Sequence, residues 1–428
     1  MSSFTTEQPE HITCQTIYDG ILDRYRPLQA SDFVGGGAGS DAFGRQRVSN
    51  PEMIFNSKQI FDNQPLYWDD IQESGSGTSS TYSNNTASST LSVSATTAGK
   101  RTRQTFMRFN YQASKSQLIF ITGILKASGG GTGIITRMGY FDDNNGLFLE
   151  CNAGTINLVR RTYVTGAAVD NPIPQSSWNL DKMDGTGASK ITLDFTKTQI
   201  FMTDFEWLGV GRVRFGFNVN GITYYVHELS AANTLTTVYM STPNLPLRYQ
   251  IINDGTGAAS SINCICSAVI SEGGREEVAT NSYLSTKGTS VQATKNITNA
   301  IISARLKNGY LGATIDILDL SLLTVSNDSY EWQLYMNPSG INSLSYSGIN
   351  NSAIEYAVAP NGTAISGGFI VAGGYAQAKT DIQASALKSL MKLGTSITGR
   401  RDTLVLSCLP LGASDSVVYG AINYREFN

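Results

Sequence analysis

From Pro51 onward, apolar side chains recur in short alternating runs of β-branched and aromatic residues, separated by Gly, Asn, Asp and Ser. A period of two turns one face of a strand toward a core and the other toward water, and such runs broken by regular turn signals read as an antiparallel sandwich. The pattern predicts strands over Ser116–Lys126, Gly133–Asp142, Leu147–Cys151, Thr155–Thr162, Lys190–Asp194 and Gln199–Trp207. It continues over Val210–Asn218, Ile222–Leu229, Leu247–Asn253 and Ser261–Ser271. Asp143-Asn144-Asn145-Gly146 and Asn218-Val219-Asn220-Gly221 put Asn-Gly between apolar runs, residues that tolerate the positive φ of a hairpin turn. Between Gln72 and Gly99 few residues are apolar apart from Tyr82, Leu91 and Val93, which predicts a long exposed loop or an edge strand. The alternation Thr90–Ala95 favours a strand at its end.

The apolar pattern lapses over Ser271–Thr289, which marks a domain boundary. A second set of strands is predicted at Ala300–Arg305, Thr314–Val325, Tyr330–Asn337, Ile354–Val358, Gly367–Ala372, Thr403–Leu409 and Val417–Tyr424. One helix is expected there, Ile382–Lys392, with Leu387, Leu390 and Met391 on a common stripe and Gly394 just beyond its end. Before Asn50 the chain is polar and irregular, with a short helix expected around Thr16–Tyr25 and a flexible run Gly35-Gly36-Gly37-Ala38-Gly39. Such a segment builds no core of its own, so it reads as an arm laid along a neighbouring surface. The expected fold is all-β: an extended N-terminal arm at 1–45, a jelly-roll or lectin-like β-sandwich at 46–275 and a smaller C-terminal β-sandwich at 285–428.

Composition sharpens this picture. The 428 residues are 15% charged, against about 25% in an average domain, and hold 42 glycines, which points to strands and turns rather than exposed helices. A formal net charge of −3 supplies no basic field for a phosphate backbone, so nucleic-acid binding is not expected. Glu7, Glu10, His11 and Asp19 stand where a signal peptide would need an apolar run, and no stretch approaches the ~18 apolar residues of a membrane span. Synthesis in a cytoplasm, without membrane insertion, is the expectation. The 5 cysteines (Cys14, Cys151, Cys264, Cys266 and Cys408) are odd in number and scattered, as buried thiols rather than a disulfide framework would be. Alternation would place Cys264 and Cys266 on one strand face, with Ile265 on the other.

Candidate chemistry is sparse. There are 2 histidines, His11 and His227, so a nucleophile–histidine site would have to be built on one of them, and a structural role for His227 in its strand is expected. Gly99-Lys100 is followed by Arg101 and lacks the first glycine of a phosphate loop. Aligning Asp142–Gly146 with a calcium loop puts Phe141 at the first ligand and Asn152 at the last, which leaves a hairpin turn. Asp204 and Glu206, two apart, would share a strand face as the carboxylates of a retaining glycosidase do. The first acid of the Glu-x-Asp-x-Glu pattern falls at Met202, however, so no catalytic residue is assigned. Trp68, Trp178, Trp207 and Trp332, with the Tyr224–Tyr225 pair, are candidates for glycan contact. No cofactor and no metal are expected.

Several runs resemble a family of virion structural proteins from tailed phages of marine bacteria, with relatives among large DNA viruses. They are Ser40–Pro51 with Phe55-Asn56-Ser57-Lys58, Arg137–Phe141 with Asn145–Glu150, Glu206–Gly211 with Gly216-Phe217 and Asn220-Gly221, Pro243–Tyr249, Cys266–Gly274, Arg305-Leu306-Lys307, and Ala421–Glu426. The resemblance implies a non-enzymatic protein of the virion, on capsid, vertex or tail, that works among other virion proteins and as a homo-oligomer with a trimer favoured. It carries no catalytic residues. On that reading Phe43, Arg45, Arg47, Pro51 and Phe55 anchor the arm to the body or to a neighbouring copy, Phe by burial and Arg by forked hydrogen bonds. A host-attachment module that binds surface glycans is the alternative, and a carbohydrate-active enzyme the third.

Overall fold

The computed structural model describes residues 16–19, 24–27, 40–45, 47, 50–273, 278–326, 328–377, 381–385 and 392–427. The rest of the expected arm, with His11 and Cys14, lies outside them. Where a helix was expected near Thr16, two short strands, β1 (Thr16–Asp19) and β2 (Arg24–Pro27), pair as an antiparallel hairpin.

The first sandwich begins with β3 (Glu52–Lys58), β4 (Trp68–Gly75), β5 (Thr78–Ser83), β6 (Ser88–Val93), β7 (Gly99–Thr105), β8 (Gln117–Ser128), β9 (Ile134–Phe141) and β10 (Gly146–Asn152). It continues with β11 (Thr155–Thr162), β12 (Val169–Pro174), β13 (Gln199–Phe205), β14 (Arg212–Val219), β15 (Ile222–Ser230), β16 (Leu247–Asn253) and β17 (Ser260–Ser271). One sheet runs in the order β12-β11-β10-β9-β16-β7-β4, and the other in the order β15-β14-β13-β8-β17-β6-β5, with β3 also on β17. Lys190–Asp194, expected as a strand, contributes only the isolated bridge Asp184–Thr192. There Asp181 accepts the backbone N–H groups of Met183 and Ser189, holding the segment as a loop.

Alternation explains the core. Ile119, Ile121 and Leu125 of β8 and Phe201 and Phe205 of β13 point between the sheets, where Phe201 meets Phe215 and Phe217 at ring separations of 6.1 and 5.4 Å. Truncating such a buried aromatic costs about 3–5 kcal/mol. The β14–β15 turn takes Asn220 and Gly221 to φ of 54° and 80°, as its sequence requires. A β-bulge between Cys264 and Ser267 interrupts β17. A Cβ on Gly123 would sit 2.4 Å from the Asn263 carbonyl there, so only glycine admits the close approach. The bulge also corrects the expectation for the cysteines, since Cys264 is buried in the core and Cys266 is half-buried on the opposite side of the strand.

The second sandwich comprises β18 (Thr280–Ser285), β19 (Val291–Ala293), β20 (Asn299–Leu306), β21 (Thr314–Thr324), β22 (Tyr330–Met336) and β23 (Ser347–Gly348). It ends with β24 (Ile354–Val358), β25 (Phe369–Ala376), β26 (Asp381–Ser385), β27 (Thr403–Pro410) and β28 (Ser416–Phe427). Its sheets are β18-β28-β21-β26, with β19 on β28, and β23-β24-β20-β27-β22-β25. They enclose Ile301, Leu320, Leu334, Leu406 and Ile422 in a cluster that shares no residue with the first core. The expected helix Ile382–Lys392 opens instead as β26, paired with β21, and residues 386–391 lie outside the described ones. The stripe Leu387, Leu390 and Met391 lies among those undescribed residues.

The stretch after Lys392 crosses back to the first sandwich. The Thr395 N–H donates to the Phe106 carbonyl at 2.8 Å, and the Ile397 N–H donates to Asp69 Oδ2 at 2.8 Å. Among the described residues no helix is long and apolar enough to cross a membrane.

Candidate functional site

Asp204 sits on β13 opposite Arg214 of β14 and Leu118 of β8, on the outward face of its sheet, and is 0% exposed. Its Oδ1 accepts the Ser116 hydroxyl at 2.5 Å. Its Oδ2 accepts Arg47 at 2.6 Å, Arg214 at 2.5 Å and the Tyr225 hydroxyl at 2.8 Å. The Arg214 guanidinium also lies 4.1 Å from the centre of the Tyr225 ring. Burial, and then the Asp204 charge, push the Tyr225 phenol far above its ordinary range.

These groups clamp the segment Ser40–Arg47 to the sheet. Arg214 donates to the Ser40 carbonyl at 2.7 Å, and Arg212 to the Ala42 carbonyl at 2.8 Å. The Ala42 N–H returns to the Ser116 hydroxyl at 3.2 Å. Arg47 bridges Asp204 and Glu272, the latter at 3.6 Å. Arg45 is half-exposed, pairing with Asp41 at 2.8 Å and lying 4.6 Å over the Phe43 ring. Pro51 is exposed, and Phe55 is buried in the first core within β3. Of the five arm residues, then, Arg47 and Phe55 make intramolecular contacts deep in the first sandwich, Phe43 and Arg45 contact each other at its surface, and Pro51 stands apart.

The glycosidase alternative is corrected by the same geometry. A carboxylate with four donors and no solvent contact has no lone pair or space for a sugar carbon. Glu206 lies past the end of β13, where its Oε1 accepts the Arg212 N–H at 2.9 Å and burial raises its pKa. His227 is buried, accepts the Asn179 N–H through Nδ1 at 3.1 Å and has its pKa lowered by burial. No group of three His, Cys, Asp or Glu able to hold a metal occurs among the described residues.

The tryptophan platform is corrected as well. Trp68, Trp178 and Trp332 are 3%, 3% and 7% exposed, their rings consumed by core packing. Trp207 is half-buried beside Tyr111, with its Nε1 donating to the Met240 carbonyl at 3.1 Å. Tyr225 is likewise buried, in the clamp. The outward face of the seven-stranded sheet is polar but internally paired: Arg137 with Glu150 at 2.7 Å, Arg161 with Asp170 at 2.7 Å and Arg248 with Asp143 at 2.6 Å.

Two free surfaces belong to the second sandwich. β25 ends its sheet, and no described strand pairs with its outer edge. Along it Phe369, Ile370 and Tyr375 are 41%, 46% and 74% exposed. At the opposite side, edge strands β18 and β23 flank an open groove of about 390 Å³, lined by Tyr283, Ser285, Lys287, Ser347, Asn350 and Tyr356 among others.

No family model matches the sequence, and no curated protein matches it. Among solved structures, an endo-1,3-beta-glucanase from Streptomyces sioyaensis is similar with a TM-score of 0.33 and 11% identity, over 53% of this chain and 98% of that one. A legume lectin-like domain from Entamoeba histolytica gives a TM-score of 0.31 and 8% identity, over 52% and 98%. The CBM2 module of an evolved Dit from Lactobacillus casei BL23 phage J-1 gives 0.33 and 8%, over 53% and 98%.

Proposed function

We propose that this chain is a non-enzymatic structural component of a virus particle, on capsid surface, vertex or tail, that associates with copies of itself and with other virion proteins. Residues 46–275 and 285–428 are its two folding units, and the runs from Ser40 to Glu426 that resemble virion structural proteins support the viral setting. The observation that carries the associative part is β25. Its 8 residues, Phe-Ile-Val-Ala-Gly-Gly-Tyr-Ala, hold no charge and no proline, and no described strand pairs with its outer edge. An apolar edge leaves backbone N–H and C=O groups ready to pair with another chain, and the occupant proposed is a second copy. A specific contact of this kind buries at least about 1,000 Å².

Light scattering across a concentration series checks this reading, with the double variant Ile370→Lys and Tyr375→Lys as the control. Concentration-dependent association that weakens at least about tenfold in the variant, with an unchanged melting temperature, is the expected result. A wild type that stays monomeric at high concentration and is absent from purified particles overturns it. A second reading, attachment to host glycans, is favoured by the groove between β18 and β23.

A further inference from the structure

The groove beside β18 combines a surface cation with an exposed aromatic ring and hydroxyl and amide groups. Here Lys287 has no carboxylate partner among the described residues, and none of the residues lining the groove is acidic. The turn that carries Lys287 holds it in the left-handed region at φ 50°, followed by Gly288 at φ 75°, and its backbone N–H donates to Ser285 Oγ at 3.1 Å. Such backbone strain at a surface turn fixes where the side chain projects. The ammonium stands 5.6 Å from the Tyr356 ring centre, and Tyr356 itself is buried as the floor of the groove. Hydrogen bonding to Tyr356 raises the lysine's pKa above its ordinary value. Tyr283, next along the same edge, presents a ring that is 64% exposed.

We infer that this groove binds an oligosaccharide bearing an anionic group, with Lys287 facing the carboxylate or sulfate and Tyr283 offering its ring to the flat apolar face of a sugar. Ser285, Ser347 and Asn350 supply the hydroxyl and amide groups that a polyol needs around an aromatic ring. A lysine ammonium without a carboxylate partner has donors left to give a charge-assisted hydrogen bond to either kind of oxyanion. The inference rests on the attachment reading and narrows its ligand.

Saturation-transfer NMR and calorimetry on the full chain, with lactose, 3′-sialyllactose and lactose 3′-sulfate as probes, test it. The two anionic sugars are expected to bind and lactose to bind at least about tenfold more weakly, the value of one charged hydrogen bond. Lys287→Gln should abolish that preference, Lys287→Arg should keep it, and Tyr283→Ala should weaken all three probes. The relative strength of the sialylated and sulfated arms identifies the anion. Lactose binding as tightly as the anionic sugars overturns the anionic assignment and leaves attachment standing. Failure of all three probes overturns the groove as a glycan site, while host-cell binding that persists in Lys287→Gln shows attachment residing elsewhere.

Discussion

The two sandwiches differ in how some of their sheet edges are finished. In the first, β12 carries Pro172 and Pro174, β4 carries Asp69, Asp70 and Glu73, and the β14–β15 pairing is bulged at Phe215/Gly216. Each of these discourages another strand from adding. Most of its arginines pair with carboxylates, and the clamp at Asp204 seals one outward face. In the second, β25 is apolar and uncharged, and Lys287 has no carboxylate partner among the described residues, although Arg305 and Arg401 both pair with Glu355, at 2.7 and 2.8 Å. The contrast therefore lies chiefly in the sheet edges and in the buried clamp at Asp204.

The strongest way to break that contrast is Asp204→Asn. It leaves Arg214, which is 0% exposed, and Arg47 facing a neutral group, and removing one partner of a buried ion pair costs about 3–5 kcal/mol. Urea unfolding should show the first sandwich melting earlier while the transition of the second is unmoved. If both move together, the two are one cooperative unit.

Acidity offers a finer probe at two carboxyls, Asp170 and Asp402, whose shifts have opposite sign. Burial alone would raise the Asp170 carboxyl, but the Arg161 fork and the Arg137 charge outweigh it and hold its pKa below the ordinary 3.8. Its contribution is complete above that value and is lost as pH falls through the lower, folded-state pKa. Asp402 in the second sandwich is raised by burial, despite hydrogen bonds from Asn337 and Gly394. It favours the folded state when protonated, and that advantage fades as pH rises from about 3.8 through its higher, folded-state pKa. Stability curves against pH for Asp170→Asn and Asp402→Asn should therefore flatten at the acid end with opposite slopes. Matching slopes would sink the assignment.

The smallest effect belongs to Arg45→Ala. Its side chain is 52% exposed, so loss of the Asp41 pair should change stability by no more than about 1 kcal/mol, and the Arg47 clamp should hold without it. A larger loss, read by thermal melting, would mean that Arg45 shares the work of Arg47.

Much of this was readable from residue order. β11, β16 and β24 fall where alternation put them, and the Asn220-Gly221 turn needed nothing but its own chemistry. Among the strands missed, besides β3, β12, β18, β19, β23 and the hairpin and edge strands expected as helices, are β4, β5 and β7, whose Asp, Gln, Ser, Thr and Arg residues carry no apolar period. Their side chains are satisfied by partners far along the chain, as Arg101 is by Asp70 at 2.7 Å. The clamp left a signal that the reading overlooked. Asp204 interrupts Phe-Met-Thr-Asp-Phe and Arg214 interrupts Val-Arg-Phe, and a hairpin turning at Leu208-Gly209 pairs them directly. Opposite charges set into two apolar strands at matched distance from one turn foretell a buried pair. The tryptophans misled because an aromatic's exposure is decided by the sheet that covers it, which residue identity alone does not specify.

The bulge that separates Cys264 from Cys266 has a consequence for the oxidation of the thiols. Burial pushes the thiols of Cys151, Cys264 and Cys408 upward, the last to about 12, so that peroxide meets almost no thiolate. With Cys266 turned to the other side of the strand, the two sulfurs nearest in sequence are kept from closing a vicinal bridge, and these buried positions resist oxidative ageing without relying on any cross-link.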